Sequence, residues 1–213
     1  MIAQIIIYLC FYIIGVVLGS FFTLAIYRIP LKQDITHTRS YCPKCNHNLG
    51  FWDLIPIISY LLLGGKCRYC HEKISKRYII IEAISGLFYL LFILSLKINF
   101  LNITLYNIIE IIHGTLIIAT LFILGGIEKE TGKFSKGVLT FGLIAEMFYI
   151  IYLCVLKNNI YRYIIYVIVI ATMSSIISLI LKSLLKKGKS VFIYYFCFLN
   201  IITGILLNFI INI

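Results

Sequence analysis

Four cysteines are the residues best equipped for chemistry in this chain. Cys42-Pro-Lys-Cys45 and Cys67-Arg-Tyr-Cys70 are two CxxC pairs separated by 21 residues. Each tight turn presents two sulfurs to one point, so the pairs together can hold one Zn²⁺ tetrahedrally. Four thiolates close the coordination sphere, so such a metal organises structure and does not activate water. Carboxylates are the second candidate set. Glu110 and Glu146 fall within apolar runs, where an acid is costly to bury and is a functional candidate by default. His113, one turn after Glu110, offers that acid a partner.

The elements that must position these groups are apolar helices. The chain is 62% hydrophobic, well above an ordinary globular composition, with a mean hydropathy of +1.02. Its apolar runs approach the ~20 residues that cross a bilayer. Six spans are predicted, at 3–26, 79–96, 103–125, 138–156, 163–181 and 191–212. The first is read as a retained span: no basic n-region precedes it and no small-residue cleavage site follows it.

Charge distribution orients the spans. Of 19 Lys and Arg, nine lie between Arg28 and Arg77, three at Lys129, Lys133 and Lys136, and four at Lys182, Lys186, Lys187 and Lys189. Six spans put these sixteen on one side and leave Lys97, Lys157 and Arg162 on the other. The positive-inside rule makes the sixteen-charge side cytoplasmic and both termini external. The net charge of +11 therefore follows topology and anionic lipid, and no nucleic-acid partner is expected. A reducing cytoplasm favours metal over disulfide at the four cysteines. Cys10, Cys154 and Cys197 lie in spans and read as small core residues.

The chain thus divides into a first transmembrane helix at 1–26, a cytoplasmic four-cysteine zinc domain at 27–78 and a five-helix membrane domain at 79–213. The fold class is all-α and polytopic, with the zinc-binding insertion between helices 1 and 2. Arg28-Ile-Pro30 ends the first span, Pro30 as a stop and Arg28 by snorkelling to the interface. About 50 residues bury little core alone, which gives a metal staple a purpose. Between the cysteine pairs, the amphiphilic run Phe51–Leu63 is too short to cross. It either lies on the bilayer surface or forms core for the zinc domain. No internal repeat is evident.

From Gly19 to Gly86 the residues resemble the N-terminal half of the type IV prepilin peptidase/N-methyltransferase family. Gly19-Ser20-Phe21-Phe22-Thr23-Leu24-Ala25-Ile26-Tyr27-Arg28-Ile29-Pro30 matches the family's Gly-Ser-Phe-Leu-Asn-x-x-Ile-x-Arg-x-Pro, with Thr23 for Asn. Ser40-Tyr41-Cys42-Pro43-Lys44-Cys45 follows, then Asp53-Leu54-Ile55-Pro56 for Asp-Asn-Ile-Pro, Gly65-Lys66-Cys67-Arg68-Tyr69-Cys70, Ile74-Ser75-Lys76-Arg77-Tyr78 and Glu82. The resemblance implies a multi-pass protein of the bacterial cytoplasmic membrane that cleaves the leader of type IV pilin-like precursors. It can also imply methylation of the new N-terminus with S-adenosylmethionine. Asp53, Gly65, Lys66 and Glu82 match the region associated with substrate handling and methyl transfer. A pair of Glu82 with Arg77 or Lys76 is the plainer reading of that acid.

The C-terminal half departs from the pattern. The family carries two catalytic aspartates there, one opening Asp-x6-Pro-Asp/Asn and one in Gly-x-Gly-Asp-x-Lys. This chain has only Asp34 and Asp53. Ile127-Glu128-Lys129-Glu130-Thr131 aligns on the first motif with Glu128 at the aspartate position and Ser135 at the proline. The extra methylene displaces the carboxyl by about 1 Å, enough to cost about 100-fold in rate. Lys187-Gly188-Lys189-Ser190 is the counterpart of the second motif, and the hydroxyl of Ser190 does not ionise near neutral pH. A methyltransferase or a non-catalytic pilin-binding protein is the alternative to an altered peptidase.

Overall fold

The computed structural model describes residues 2–100, 102–133 and 135–157. Predicted spans 163–181 and 191–212, and Ser190 with them, lie outside these residues. The described chain is helical: α1 (Ile2–Arg28), α2 (Ile58–Leu62), α3 (Arg77–Ser95), α4 (Leu105–Thr131) and α5 (Lys136–Lys157), with a 3-10 turn at Phe51–Asp53. Three stretches, Gln4–Arg28, Arg77–Ser95 and Leu105–Thr131, are long and apolar enough to cross a membrane. α5 covers the fourth predicted span. The chain divides into two compact units, with the boundary after Ile93.

In the first unit α1 and α3 approach at small residues. Gly15 and Gly19 stand one turn apart on α1, the spacing that lets two backbones come close in lipid. The Ser85 hydroxyl reaches across to the Gly15 carbonyl at 2.8 Å and to the Glu82 carbonyl of its own helix at 2.9 Å. A Cβ on Gly15 would stand 2.9 Å from the Gly86 Cα, and one on Gly19 2.9 Å from the Glu82 Cα and into the Ser85 hydroxyl. Backbone on the facing helix cannot swing away as a side-chain tip can. Gly19→Leu is therefore expected to destabilise the helix pair by about 1–3 kcal/mol, the usual cost of overpacking. Unfolding in mixed detergent micelles, with Leu18→Ala as the comparison, measures it.

Arg28 does not snorkel. Its side chain is 2% exposed, and its guanidinium donates to the carbonyls of Asp34, Thr38 and Arg39 at 2.8–3.0 Å. It also lies over the Tyr41 ring. Five donors in a rigid fork suit this task, and the charge winds the connector 29–39 around the end of α1. The buried hydrophobic face of that helix end is Phe22, Ala25 and Ile26.

In the second unit α4 opens on a capping box, Thr104 accepting from the Asn107 N–H while the Asn107 side chain accepts from the Thr104 N–H. α4 runs six residues beyond the predicted end of its span. Lys129 and Glu130 continue the helix out of the apolar stretch until Gly132, left-handed at φ 66°, caps it. Glu128 thus lies in the last helical turn and not in a loop. α5 packs back on α4, with Gly142 against Thr120. The partner of His113 is Glu146 on α5, at 2.9 Å, with Tyr149 stacked on the imidazole at 3.8 Å. The anticipated Glu110–His113 pair is thereby corrected: across a helix hairpin, packing and not spacing along one helix selects the partner. Glu110 is buried on α4.

Candidate metal centre and adjoining cavity

The two cysteine turns are copies of one another. In the first, Cys42 N–H bonds the His47 carbonyl, Asn46 N–H the Cys42 carbonyl and Leu49 N–H the Ser40 carbonyl. In the second, Cys67 bonds Glu72, His71 bonds Cys67 and Ile74 bonds Gly65 in the same way, each 25 residues on. Bridges Tyr41–Asn48 and Lys66–Lys73 repeat the match. Asn46 and His71, after the second cysteine of each turn, share φ 57°. Sequence reading finds no repeat because only the cysteines are identical; the duplication lives in backbone conformation.

The four sulfurs all lie within 4.8 Å of one another, and Cys42 and Cys70 are 3.9 Å apart. Tetrahedral thiolate coordination with Zn–S bonds of about 2.3 Å spaces sulfurs about 3.8 Å apart. That separation excludes a Cys42–Cys70 disulfide. Burial pushes the Cys42 thiol up, but the N–H groups of Cys45 and Lys44 outweigh it and bring it down to about 7. At Cys70 the Glu72 N–H favours the thiolate, yet burial and the neighbouring sulfurs of Cys45, Cys67 and Cys42 push it up to about 12. Four sulfurs this close cannot all ionise unaided, and a divalent cation removes the opposition. The donor set, spacing and closed geometry fit a metal such as zinc in a structural site.

Asp53 locks the second turn from outside. Its side chain is 5% exposed and accepts from Arg68 Nε at 2.6 Å, Tyr69 Oη at 3.1 Å and the Gly50 N–H at 3.1 Å. Arg68 and Tyr69 are the two residues inside Cys67-x-x-Cys70. Burial raises the carboxyl's pKa, but the hydrogen bonds from Arg68, Gly50 and Tyr69 outweigh it and hold the group below its ordinary value. A depressed carboxyl contributes stability above the ordinary carboxylate range and loses it as pH falls through the folded-state pKa. Groups bonded to the ligands themselves tune metal affinity by about 10–100-fold, and Asp53 stands one step further out, holding the two residues between Cys67 and Cys70. Asp53→Ala is accordingly expected to weaken metal binding by about 10-fold at neutral pH. Competition with a chromophoric chelator measures the change.

Behind the metal turns, within the first unit, lies a cavity of about 380 Å³. The ends of α1 and α3, both cysteine turns and α2 wall it. Glu82, buried on α3, accepts from the Ile57 N–H at 2.8 Å, and Ser20 of α1 lines the same cavity. The plainer reading of Glu82 as a pair with Arg77 or Lys76 is thus replaced by a link between α3 and the start of α2. Ile57 is held at φ 62°, ψ −53°, and Ile58 N–H bonds the Pro56 carbonyl at 2.6 Å. That is a γ-turn of the rare, strained kind, at a β-branched residue.

Asp53 and Glu82 both line the cavity; Gly65 and Lys66 do not. Gly65 has φ 69°, and a Cβ there would stand 2.8 Å from Tyr60 Oη, so its freedom serves the turn from α2 into the second cysteine pair. Tyr27, Tyr41, Tyr60, Tyr78, Lys44 and Lys73 also line the cavity and were not singled out from sequence. Tyr27, Tyr41, Lys44 and Tyr78 fall inside the matched motifs, which is the one signal that could have found them. Thr23 and Leu54, where the family pattern has Asn, are on its wall too. Glu128 is half-buried at the end of α4, in the second unit.

Comparison with known proteins gives a consistent picture for the first unit. The bacterial peptidase A24 N-terminal domain matches residues 13–96. A prepilin leader peptidase/N-methyltransferase of Vibrio cholerae is 48% identical over 80 residues, 34% of this chain and 32% of its own length. One from Myxococcus xanthus is 41% identical over 78 residues, 37% of this chain and 23% of its own. The type 4 prepilin-like proteins leader peptide-processing enzyme of Escherichia coli is 35% identical over 95 residues, 36% of this chain and 35% of its own. The chain spans about a third or less of the length of these curated relatives. No solved structure matches it.

Proposed function

We propose, for a chain that belongs through residues 13–96 to the prepilin leader peptidase/N-methyltransferase family, that it handles type IV pilin-like precursors at the cytoplasmic face of the bacterial membrane. The activity best supported is methyl transfer to a pilin N-terminal amine. The observation that carries it is the cavity with a buried carboxylate, Glu82, behind a metal-stapled wall. Zn²⁺ in the Cys42, Cys45, Cys67, Cys70 site has the structural part.

The cavity fits S-adenosylmethionine on two counts. Its volume lies within the ~300–1,000 Å³ typical of small-molecule sites. Its tyrosines at 27, 41, 60 and 78 offer aromatic surface suited to a sulfonium cation. S-adenosylmethionine, when bound, supplies an electrophilic methyl group. Lys44 and Lys73 offer ammonium groups to its carboxylate. Glu82 orients the substrate amine and takes up the proton the amine loses as its nitrogen is methylated. Asp53 holds the metal wall through Arg68 and Tyr69. Gly65 and Lys66 act at one remove, through the turn they form.

Leader cleavage is the second reading. It rests on Glu128, half-buried in the last turn of α4 beside Lys129. Glu128 would activate water in place of an aspartate, and Ser190 at the other motif cannot supply the second carboxylate. Coexpression with a pilin-like precursor and intact mass measurement separates the readings. One added methyl on a mature N-terminus supports transfer. Leader loss that vanishes in Glu128→Gln supports cleavage. Co-purification of an unaltered precursor supports a binding role and overturns both.

A further inference from the structure

We propose that Phe51–Leu63 is a re-entrant wedge seated among the lipid acyl chains just below the headgroups, forming a wall between cavity and bilayer. The inference does not depend on the chemistry proposed above. Phe51, Trp52, Leu61 and Leu62 are 76%, 71%, 64% and 81% exposed, and Ile58 is exposed beside them. So much apolar surface on one short segment marks an interaction site. The other side of the same segment, Ser59, Tyr60 and Leu63, lines the cavity.

Depth identifies the occupant. Ile57 is pinned to Glu82, five residues into α3 and so about 7 Å along its axis from Arg77. Gly19, which packs against the Glu82 backbone, lies nine residues before the end of α1, about 14 Å along that helix. Both spans therefore bracket the start of α2 at a level below their own charged ends. The outward faces of the same spans are apolar at that level: Ile80 and Ile84 on α3 and Val17 and Phe21 on α1 are exposed. The wedge continues a lipid-facing surface. Non-helical backbone at membrane depth is tolerated only where its polar groups are satisfied. Glu82 satisfies the Ile57 N–H, and Ile58 N–H takes the Pro56 carbonyl. The strained turn lets the chain reverse there with the Ile57 and Ile58 N–H groups both paired.

Trp52 is the only tryptophan in the chain, so the full-length protein reports on this segment without labelling. In nanodiscs, lipids brominated near the top of the acyl chain should roughly halve its emission while aqueous acrylamide leaves it nearly unchanged, as for a ring ~5–10 Å below the headgroups. Emission quenched by acrylamide and not by bromolipid would place Trp52 in water and overturn the proposal. Shielding from both quenchers would show a protein partner or second copy on the surface and overturn it equally. Leu61→Asn/Leu62→Asn should shift Trp52 toward acrylamide; an unmoved ring in that variant also counts against the wedge.

Discussion

Replacing Cys67 with serine is expected to release the metal entirely and to open both cysteine turns, not only the one altered. Between Pro30 and Lys76 the buried hydrophobic side chains, among the described residues, are Cys42 and Cys67 themselves. There is no apolar core to fall back on. What remains is one bridge and a few backbone bonds per turn, and an isolated two-stranded unit of that size is marginal in water. Structural zinc in small cysteine-rich sites contributes about 10–16 kcal/mol of apparent binding free energy, and that is folding free energy. Metal analysis should fall from one ion per chain to none, and limited proteolysis should cut between the two turns. Cys10→Ser, on the exposed side of α1, is the control and should keep its metal. A Cys67→Ser protein that retained a full complement of metal and resisted protease would refute the structural reading of the site.

Glu82→Gln carries the second large expectation. Glutamine preserves shape and keeps a carbonyl oxygen to accept from the Ile57 N–H, so α2 should stay in place and the metal should stay bound. What is lost is the ability to take up a proton. General acid–base groups contribute about 10²–10⁴-fold, so under the proposed methyl transfer, methylation of a coexpressed pilin should fall by that range while metal content is unchanged. Glu82→Leu differs: it leaves the Ile57 N–H without its acceptor and should loosen the α2 segment as well. Equal, full methylation in wild type and Glu82→Gln would remove Glu82 from the chemistry.

Much of this unit was legible because local rules govern it. CxxC spacing dictates convergent sulfurs, hydropathy runs locate α1, α3 and α4, and the motif order from Gly19 to Glu82 carries the family. What escaped depends on contacts between elements. Arg28 looks like an interfacial charge until the connector 29–39 is seen to wrap around it. Glu146 looks isolated until α5 is set against α4, where His113 waits. The end of α4 escaped for another reason: hydropathy reports where apolar residues stop, whereas Lys129 and Glu130 are good helix formers that carry the helix on to its glycine cap. The exposed face of Phe51–Leu63 sat between two readings that a sequence cannot separate, since burial depends on where the segment is pinned.

The paired turns also bear on how two helices find each other in a bilayer. α1 and α3 are joined by the 48 residues between Arg28 and Arg77, a slack tether if left loose. Metal chelation ties that tether at two places, and each halving of loose chain lowers the entropy of ring closure by about 0.6 kcal/mol. The ion thereby raises the effective concentration of Ser85 at the Gly15–Gly19 face of α1, without touching either helix. Metal occupancy of the four-cysteine site would then be a setting on helix association, read out as far along the helices as the Ser85–Gly15 hydrogen bond.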